Sequence, residues 1–493
     1  MATSQAAYLA EKAIGHGPES LAQDVSNYPP SDKSMLALTW QGKKSVSVST
    51  VARPTILEPR DAIVRVTGTT ICGSDLHLYH GVVAQMSRGD ILGHEFCGVV
   101  ESVGPEVDTS KVQIGKRYVA SFQIACGECF FCSQKLSSQC ERTNSNTMVK
   151  GMYGGRTAGI FGYSHLTGGF AGGQAEYVRV PLADVNLLEI PEGVPDEKAL
   201  WLSDVLPTAY NAVKDTAVYP GDNVAIFGAG PIGHMAAVYA LEEGAKKIIL
   251  VDTEPRLSFV KGRWPVEHGN KLVLVDYKEL SFGVTTKETV VSKLKELTGG
   301  RGPDVAIECA AGEYAKGWMH WLEMQLGAET DTSEILNEMV EGVRNYGRAG
   351  ITGVYVGYVS FLSYLPHLPS SHFHISHVSF PFHLLHFPYF LVTGGTNQTS
   401  QTNHFNIGSL MQRGIRLIGN GQAPVHKYWH ELLKRIQDGS LDPTQMISHR
   451  VRLEDMDKLY GKFDAKDDSM QKVFVETRHS FPRAEGTPEL TKL

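Results

Sequence analysis

The stretch NVAIFGAGPIGHMAAVYALEEGAKKIILVD, residues 223–252, constrains the fold more than any other part of the chain. An apolar run leads into a glycine-rich turn, then a helical pattern of small and apolar residues, then a second apolar run closed by an aspartate. This is a strand-turn-helix-strand unit of a parallel sheet. Gly228, Gly230 and Gly233 form G-x-G-x-x-G directly after the first strand. The first glycine permits the tight turn, and the second lets the backbone approach a pyrophosphate. The third lets the helix pack against the sheet, with its positive N-terminus facing the phosphates. Asp252 closes the second strand, where a carboxylate accepts hydrogen bonds from ribose hydroxyls and repels a 2′-phosphate. NAD is therefore expected over NADP.

The same rhythm continues. VVSKLKELTGG, PDVAIECAAG, SEILNEMVEGVRNYG and RAGITGVYVG alternate helix and strand patterns, and IRLIGN adds a later strand. A doubly wound parallel sheet is expected over residues 205–421. Upstream, DAIVRVTGTTI, CGVVESVG, KRYVASF and AEYVRV are short β-rich runs between glycine-rich turns, so 35–204 is expected to form an irregular β domain. Residues 1–34 form a polar arm, 422–478 return to the mixed texture of the β domain, and 479–493 are expected to be a disordered tail. At 493 residues, two or three domains are expected. A net charge of -7 gives no electrostatic basis for nucleic acid binding. No continuous apolar run reaches the length of a membrane helix. No secretory signal pattern stands at the N-terminus, so a reducing, cytoplasmic setting is expected. The terminal TKL differs by one residue from a peroxisomal address, which makes peroxisomal import the alternative.

Four of the seven cysteines crowd together as CGECFFCSQKLSSQC. Cys126, Cys129, Cys132 and Cys140 have the spacing C-x2-C-x2-C-x7-C, and four thiolates would satisfy a tetrahedral, structural zinc. Disulfide pairing is the competing reading. A second, dispersed set lies in CGSDLHLYHG, GHE and LSDVLPTAYNA. Cys72, His94 and Asp204 are soft, borderline and hard donors, all acceptable to zinc, and three ligands leave a fourth position for substrate. Sequence alone does not bring Asp204 near Cys72, and His77 reads equally as a surface histidine or a functional one.

In these motifs the chain resembles the zinc-containing medium-chain alcohol dehydrogenases, and more narrowly their glutathione-independent formaldehyde dehydrogenase branch with its fungal relatives. CGSDLH, GHE, the four-cysteine lobe, GAGPIG, GGRGPD and TNHF stand in family order over residues 35–357 and 401–477. Asp204 replaces the cysteine usual at the third zinc position, which points to that branch. The resemblance implies an α/β fold: a GroES-like β-rich catalytic domain plus a Rossmann doubly wound parallel-sheet coenzyme domain. It implies two zinc ions, with Cys72, His94 and Asp204 on the catalytic one and Cys126, Cys129, Cys132 and Cys140 on the structural one. Asp75 would orient His94, Glu95 would lie behind the metal, and Ser74 and His77 would form a proton relay. Pro231, Ile232 and Arg256 join Gly228, Gly230, Gly233 and Asp252 as cofactor-binding candidates. The implied activity is hydride transfer between NAD and an alcohol or aldehyde hydrate, formaldehyde among them. A polyol or other secondary alcohol is the alternative substrate, and an inactive NAD-binding relative is the alternative class. A homodimer or homotetramer is implied.

One segment breaks the family pattern. Residues 358–400 carry six histidines and no Asp, Glu, Lys or Arg. Their histidines follow no regular spacing, and Pro366, Pro369, Pro381 and Pro388 forbid a continuous membrane helix. Codons for 357–359 can contain GTATGT, those for 396–397 CTAAC, and those for 399–400 a terminal pyrimidine-AG. Excision would restore GVYVGQTNHFNIG. The segment is therefore read as a retained-intron insert at which the dehydrogenase pattern is interrupted.

Overall fold

The computed structural model describes residues 33–280, 288–310, 333–353, 405–465 and 467–493. The N-terminal arm and the segment 358–400 lie outside them.

After a hairpin of Ser34–Gly42 and Ser45–Ala52, the chain builds a seven-stranded sheet. Ala62–Thr69 pairs antiparallel with Phe96–Val103 and with Tyr177–Val180. Arg117–Ala120 and Leu187–Glu189 extend the sheet on one side. Ile447–Arg452 and Lys472–Glu476, from the far end of the chain, complete it on the other. The β-branched alternation of these runs supplies one buried face, including Val64, Val66, Val100 and Val178.

Between those two visits the chain forms a six-stranded parallel sheet. Its strands are Asn223–Phe227, Lys247–Asp252, Leu272–Asp276, Val305–Glu308, Arg348–Ile351 and Arg416–Gly419. Numbered in that order, they lie 3-2-1-4-5-6 across the sheet, all parallel. This is the doubly wound order, and the crevice for a ligand opens between the first and fourth strands, where the winding reverses. The inner strands read as continuous apolar runs because helices cover both faces: Val224, Ala225, Ile226 and Phe227 are all buried.

Helix Val205–Asp215 leads from the β domain into the parallel sheet. It packs with helices Pro231–Glu242 and Val425–Gln437. A single apolar cluster runs from Cys97, Val119 and Phe474 through Trp201 to Val224 and Ile226, so the two sheets share one core. Residues 479–493, expected to be a disordered tail, are largely exposed but touch the β domain at a few points. The Thr491 amide donates to the Arg450 carbonyl at 2.7 Å, the Ala484 amide donates to Glu197 at 3.1 Å, and Thr487 is buried. Composition marked this tail as polar, but its backbone finds partners on a strand that sequence does not place beside it. Among the described residues no helix is long and apolar enough to cross a membrane.

Candidate active site

Cys72 is the N-cap of the short helix Gly73–Tyr79, at the end of the loop that follows strand Ala62–Thr69. His94 and Glu95 directly precede strand Phe96–Val103, which pairs with that strand. Asp204 is the N-cap of helix Val205–Asp215. Topology thus gathers three remote segments, and one ligand atom from each of Cys72, His94, Glu95 and Asp204 lies within 4.8 Å of all the others. His94 Nε2 stands 3.4 Å from Asp204 Oδ2 and 3.8 Å from Glu95 Oε1.

The supporting contacts are specific. His94 Nδ1 bonds Asp75 Oδ1 at 3.1 Å, which fixes the ring so that Nε2 faces the other donors. Asp75 is itself held by the Cys72 amide at 2.9 Å and by Gln174 Nε2 at 3.2 Å. Tyr460 donates to Gln174 at 2.9 Å. Thr208 donates to Asp204 Oδ1 at 2.6 Å, one turn along the helix. The rings of Phe122 and Tyr163 stand edge-on to His94. Burial alone would lower the His94 pKa, but the Asp75 and Asp204 carboxylates outweigh it and raise it well above the usual value. That excess of negative charge is what a divalent cation would neutralise. A cysteine sulfur, an imidazole and a carboxylate in a half-buried to buried cluster match the donor chemistry of a zinc site.

Behind the donors lies a pair that sequence reasoning missed in part. Lys472 Nζ bonds Glu95 Oε1 at 2.5 Å, and both side chains are buried. Glu95 Oε2 is sheltered from solvent with no partner among the described residues. The available signal was a lysine opening the run KVFV, the first four residues of strand Lys472–Glu476, all of them buried. Ser74 Oγ lies 3.3 Å from Cys72 Sγ and 3.5 Å from His94 Nε2. His77 stands one turn further along the same helix, half-buried.

The four-cysteine set forms its own compact lobe. Ligand atoms of Cys126, Cys129, Cys132 and Cys140 lie within 4.8 Å of one another, and all seven cysteines are free thiols. Hydrogen bonds among the crowded sulfurs drive the Cys140 thiol down and the Cys132 thiol up. Four such donors suit a closed tetrahedral zinc. Asn186 ties the lobe to the β domain by accepting from the Ala125 amide at 2.7 Å and donating to the Ala125 carbonyl at 3.0 Å.

At the parallel sheet, Gly228 has φ +105°, and a Cβ there would stand 3.0 Å from the Cys309 backbone. A Cβ on Gly233 would stand 1.8 Å from the Gly228 carbonyl oxygen, so the helix can approach the turn only without a side chain. Around Gly230 nothing lies within 4 Å of a Cβ, which leaves the space a pyrophosphate needs. Gly230 caps helix Pro231–Glu242, whose first residue Pro231 costs no hydrogen bond there. Asp252 accepts from the Ala229 amide at 2.6 Å and the Thr253 amide at 2.7 Å, with Arg256 at 3.6 Å. A carboxylate has about four lone-pair directions, so acceptor capacity remains for a ribose. These features fit a dinucleotide.

A metal-donor cluster on a β domain, joined by one helix to a doubly wound sheet with a glycine-rich turn, defines a metal-dependent dehydrogenase. The family model described as the alcohol dehydrogenase GroES-like domain matches residues 58–192. The chain is 32% identical over 470 residues to a zinc-type alcohol dehydrogenase-like protein of Schizosaccharomyces pombe, covering 95% of this chain and 97% of that one. It is 30% identical over 459 residues to a glutathione-independent formaldehyde dehydrogenase of Pseudomonas aeruginosa, covering 91% and 98%. Among solved structures, the alcohol dehydrogenase TADH from Thermus sp. ATN1 matches with a TM-score of 0.64 at 30% identity, covering 90% of this chain and 100% of that one. The chain belongs to the zinc-type alcohol dehydrogenase-like family and is an oxidoreductase.

Proposed function

We propose that the protein oxidises a small alcohol or an aldehyde hydrate, formaldehyde hydrate included, with NAD as hydride acceptor and two zinc ions per chain. The observation that carries this reading is the convergence of Cys72, His94 and Asp204 at the head of the helix that leads into the dinucleotide-type sheet. When bound, zinc supplies Lewis-acid polarisation of the substrate oxygen, and the dinucleotide supplies the hydride acceptor. The chain's own residues do the rest. In this reading Ser74 Oγ accepts the substrate hydroxyl proton and passes it toward His77, three residues on along the same helix and half-buried. Asp75 holds His94 in one tautomer. Glu95, bonded to Lys472, stands as a further carboxylate behind the cluster. Asp252 disfavours a 2′-phosphate and so favours NAD. Likeness to the Pseudomonas aeruginosa enzyme supports formaldehyde hydrate, a geminal diol, as a substrate.

The test is NADH formation by the full chain with formaldehyde and a panel of primary, secondary and polyhydric alcohols, run with NAD and with NADP. Turnover with NAD on an alcohol or on formaldehyde is expected. Preference for NADP would refute the role given to Asp252, and inactivity across the panel would refute the proposed reaction.

A further inference from the structure

Helix Val205–Asp215 carries Asp204 at its N-terminus, and its other end is gripped by a buried amide. Asn420 follows the last strand of the parallel sheet and is 7% exposed. Its Oδ1 accepts from Thr352 Oγ1 at 2.9 Å. Its Nδ2 donates to Asp215 Oδ2 at 3.1 Å and to Thr216 Oγ1 at 3.3 Å. Its backbone carbonyl accepts from Asn211 Nδ2 at 3.2 Å, and its amide donates to the Ile351 carbonyl at 3.0 Å. One residue thereby joins the helix to the ends of two strands. Gly350 makes the room: a Cβ there would stand 2.0 Å from Thr216 Oγ1 and 2.8 Å from Asn420 Oδ1.

The fifth strand, which Asn420 holds, lies next to the fourth, whose end borders the dinucleotide crevice. Glu308 closes strand Val305–Glu308, next to the strand that feeds the glycine-rich turn, and is 0% exposed. Its Oε1 accepts from the Ala310 amide at 2.6 Å and its Oε2 from the Gly353 amide at 2.8 Å. Charge-assisted bonds to both loops fix them relative to each other. The loop held at Cys309 and Ala310 is the one that crowds Gly228. Thr352 lies between the two clamps: its amide donates to the Glu308 carbonyl at 3.1 Å, and its hydroxyl donates to Asn420.

We propose that Asn420 is a positioning residue that couples the dinucleotide crevice to the metal donor Asp204 through helix Val205–Asp215. The proposal rests on reading the site as zinc- and dinucleotide-dependent. An 11-residue helix is a rod about 16 Å long, so a shift at its Asn420 end is carried to Asp204. A satisfied buried polar network specifies one arrangement where an apolar filling would allow several. Coupling of this kind is reciprocal: occupancy of the crevice changes the donor geometry, and the donor geometry changes dinucleotide affinity.

The test uses the full chain with cobalt(II) in the Cys72–His94–Asp204 site, read by visible absorption during titration with NADH, alongside NADH affinity by fluorescence. In the wild type, NADH should shift the cobalt bands. In Thr352→Val, NADH should bind about tenfold more weakly, the loss of one buried hydrogen bond, in Asn420→Ala at least as weakly, and in both the band shift should disappear. Thr352→Val keeps the side-chain shape while removing the hydroxyl, so it decides the matter if Asn420→Ala fails to fold. Variants that keep wild-type affinity and the wild-type band shift, even with a lowered melting temperature, would overturn the proposal and leave Asn420 a structural residue. A wild-type chain that takes up neither cobalt nor NADH would overturn the underlying reading of the site, and the proposal with it.

Discussion

Lys472 and Glu95 are an acid and a base removed from water together and bonded to each other. Burial raises the Glu95 pKa, and Lys472 offsets that rise only in part. Breaking such a pair leaves one charge uncompensated, at about 3–5 kcal/mol. Lys472→Met should therefore lower stability by that order in urea unfolding, whereas Glu95→Gln with Lys472→Met should recover most of the loss. Equal losses in the single and double variants would contradict this account of the pair. His234 is the opposite case, a buried imidazole with no hydrogen-bond partner for either nitrogen among the described residues. Burial, aided by Arg263, holds its pKa down to about 4, against about 6.5 when unfolded. The neutral form is the one the fold accepts. Its contribution is complete above about pH 6.5 and is lost as pH falls toward 4, about 3 kcal/mol in all. His234→Leu should flatten the decline of melting temperature across that window, and an unchanged pH profile would contradict the assignment. At this scale the sequence was informative where motifs are local. Cys72, Ser74 and Asp75 stand within one turn, as do His94 and Glu95. Gln174 and Tyr460 were illegible, and Lys472 was marked only as a lysine among apolar residues, because their partners are brought to them by strand pairing and helix packing across the chain.

The four-cysteine lobe is an element without a core large enough to hold it. Its buried apolar content amounts to the cysteines and Ala158, with Phe131 and Leu182 beside them. Metal bonds would supply the missing cohesion. Cys129→Ala should remove one zinc per chain and lower the melting temperature, while NADH binding at the distant glycine-rich turn persists. Retention of that metal in the variant would refute the ligand set. The lobe was readable because its ligands are close in sequence, as was the strand-turn-helix unit at Gly228, where Gly233 has no room for a side chain. The tail's contacts were not readable: Thr491 and Ala484 bond Arg450 and Glu197, which only the folded β domain brings beside them.

At the scale of the whole molecule, the strands on either side of residues 354–404 are neighbours. Arg348–Ile351 and Arg416–Gly419 pair in parallel, at one edge of the sheet. The sequence of 358–400, outside the described residues, is rich in Phe and Leu and without formal charge, a composition that favours association. The closure entropy of a longer loop grows only as the logarithm of its length, so association should dominate over destabilisation. A chain lacking 358–400 should give a regular dimer or tetramer by light scattering, and the full chain should associate irregularly. A full-length form as symmetric as the shortened chain would show that the segment belongs to the working protein. The central claim is that Asp204 completes a catalytic zinc site separate from the cysteine lobe. Zinc counted per chain in the wild type and in Asp204→Ala, with NADH formation measured on the same samples, tests it most directly. The expected result is two zinc ions and turnover in the wild type, then one zinc and no turnover in the folded variant. Two zinc ions and full activity in Asp204→Ala would contradict it.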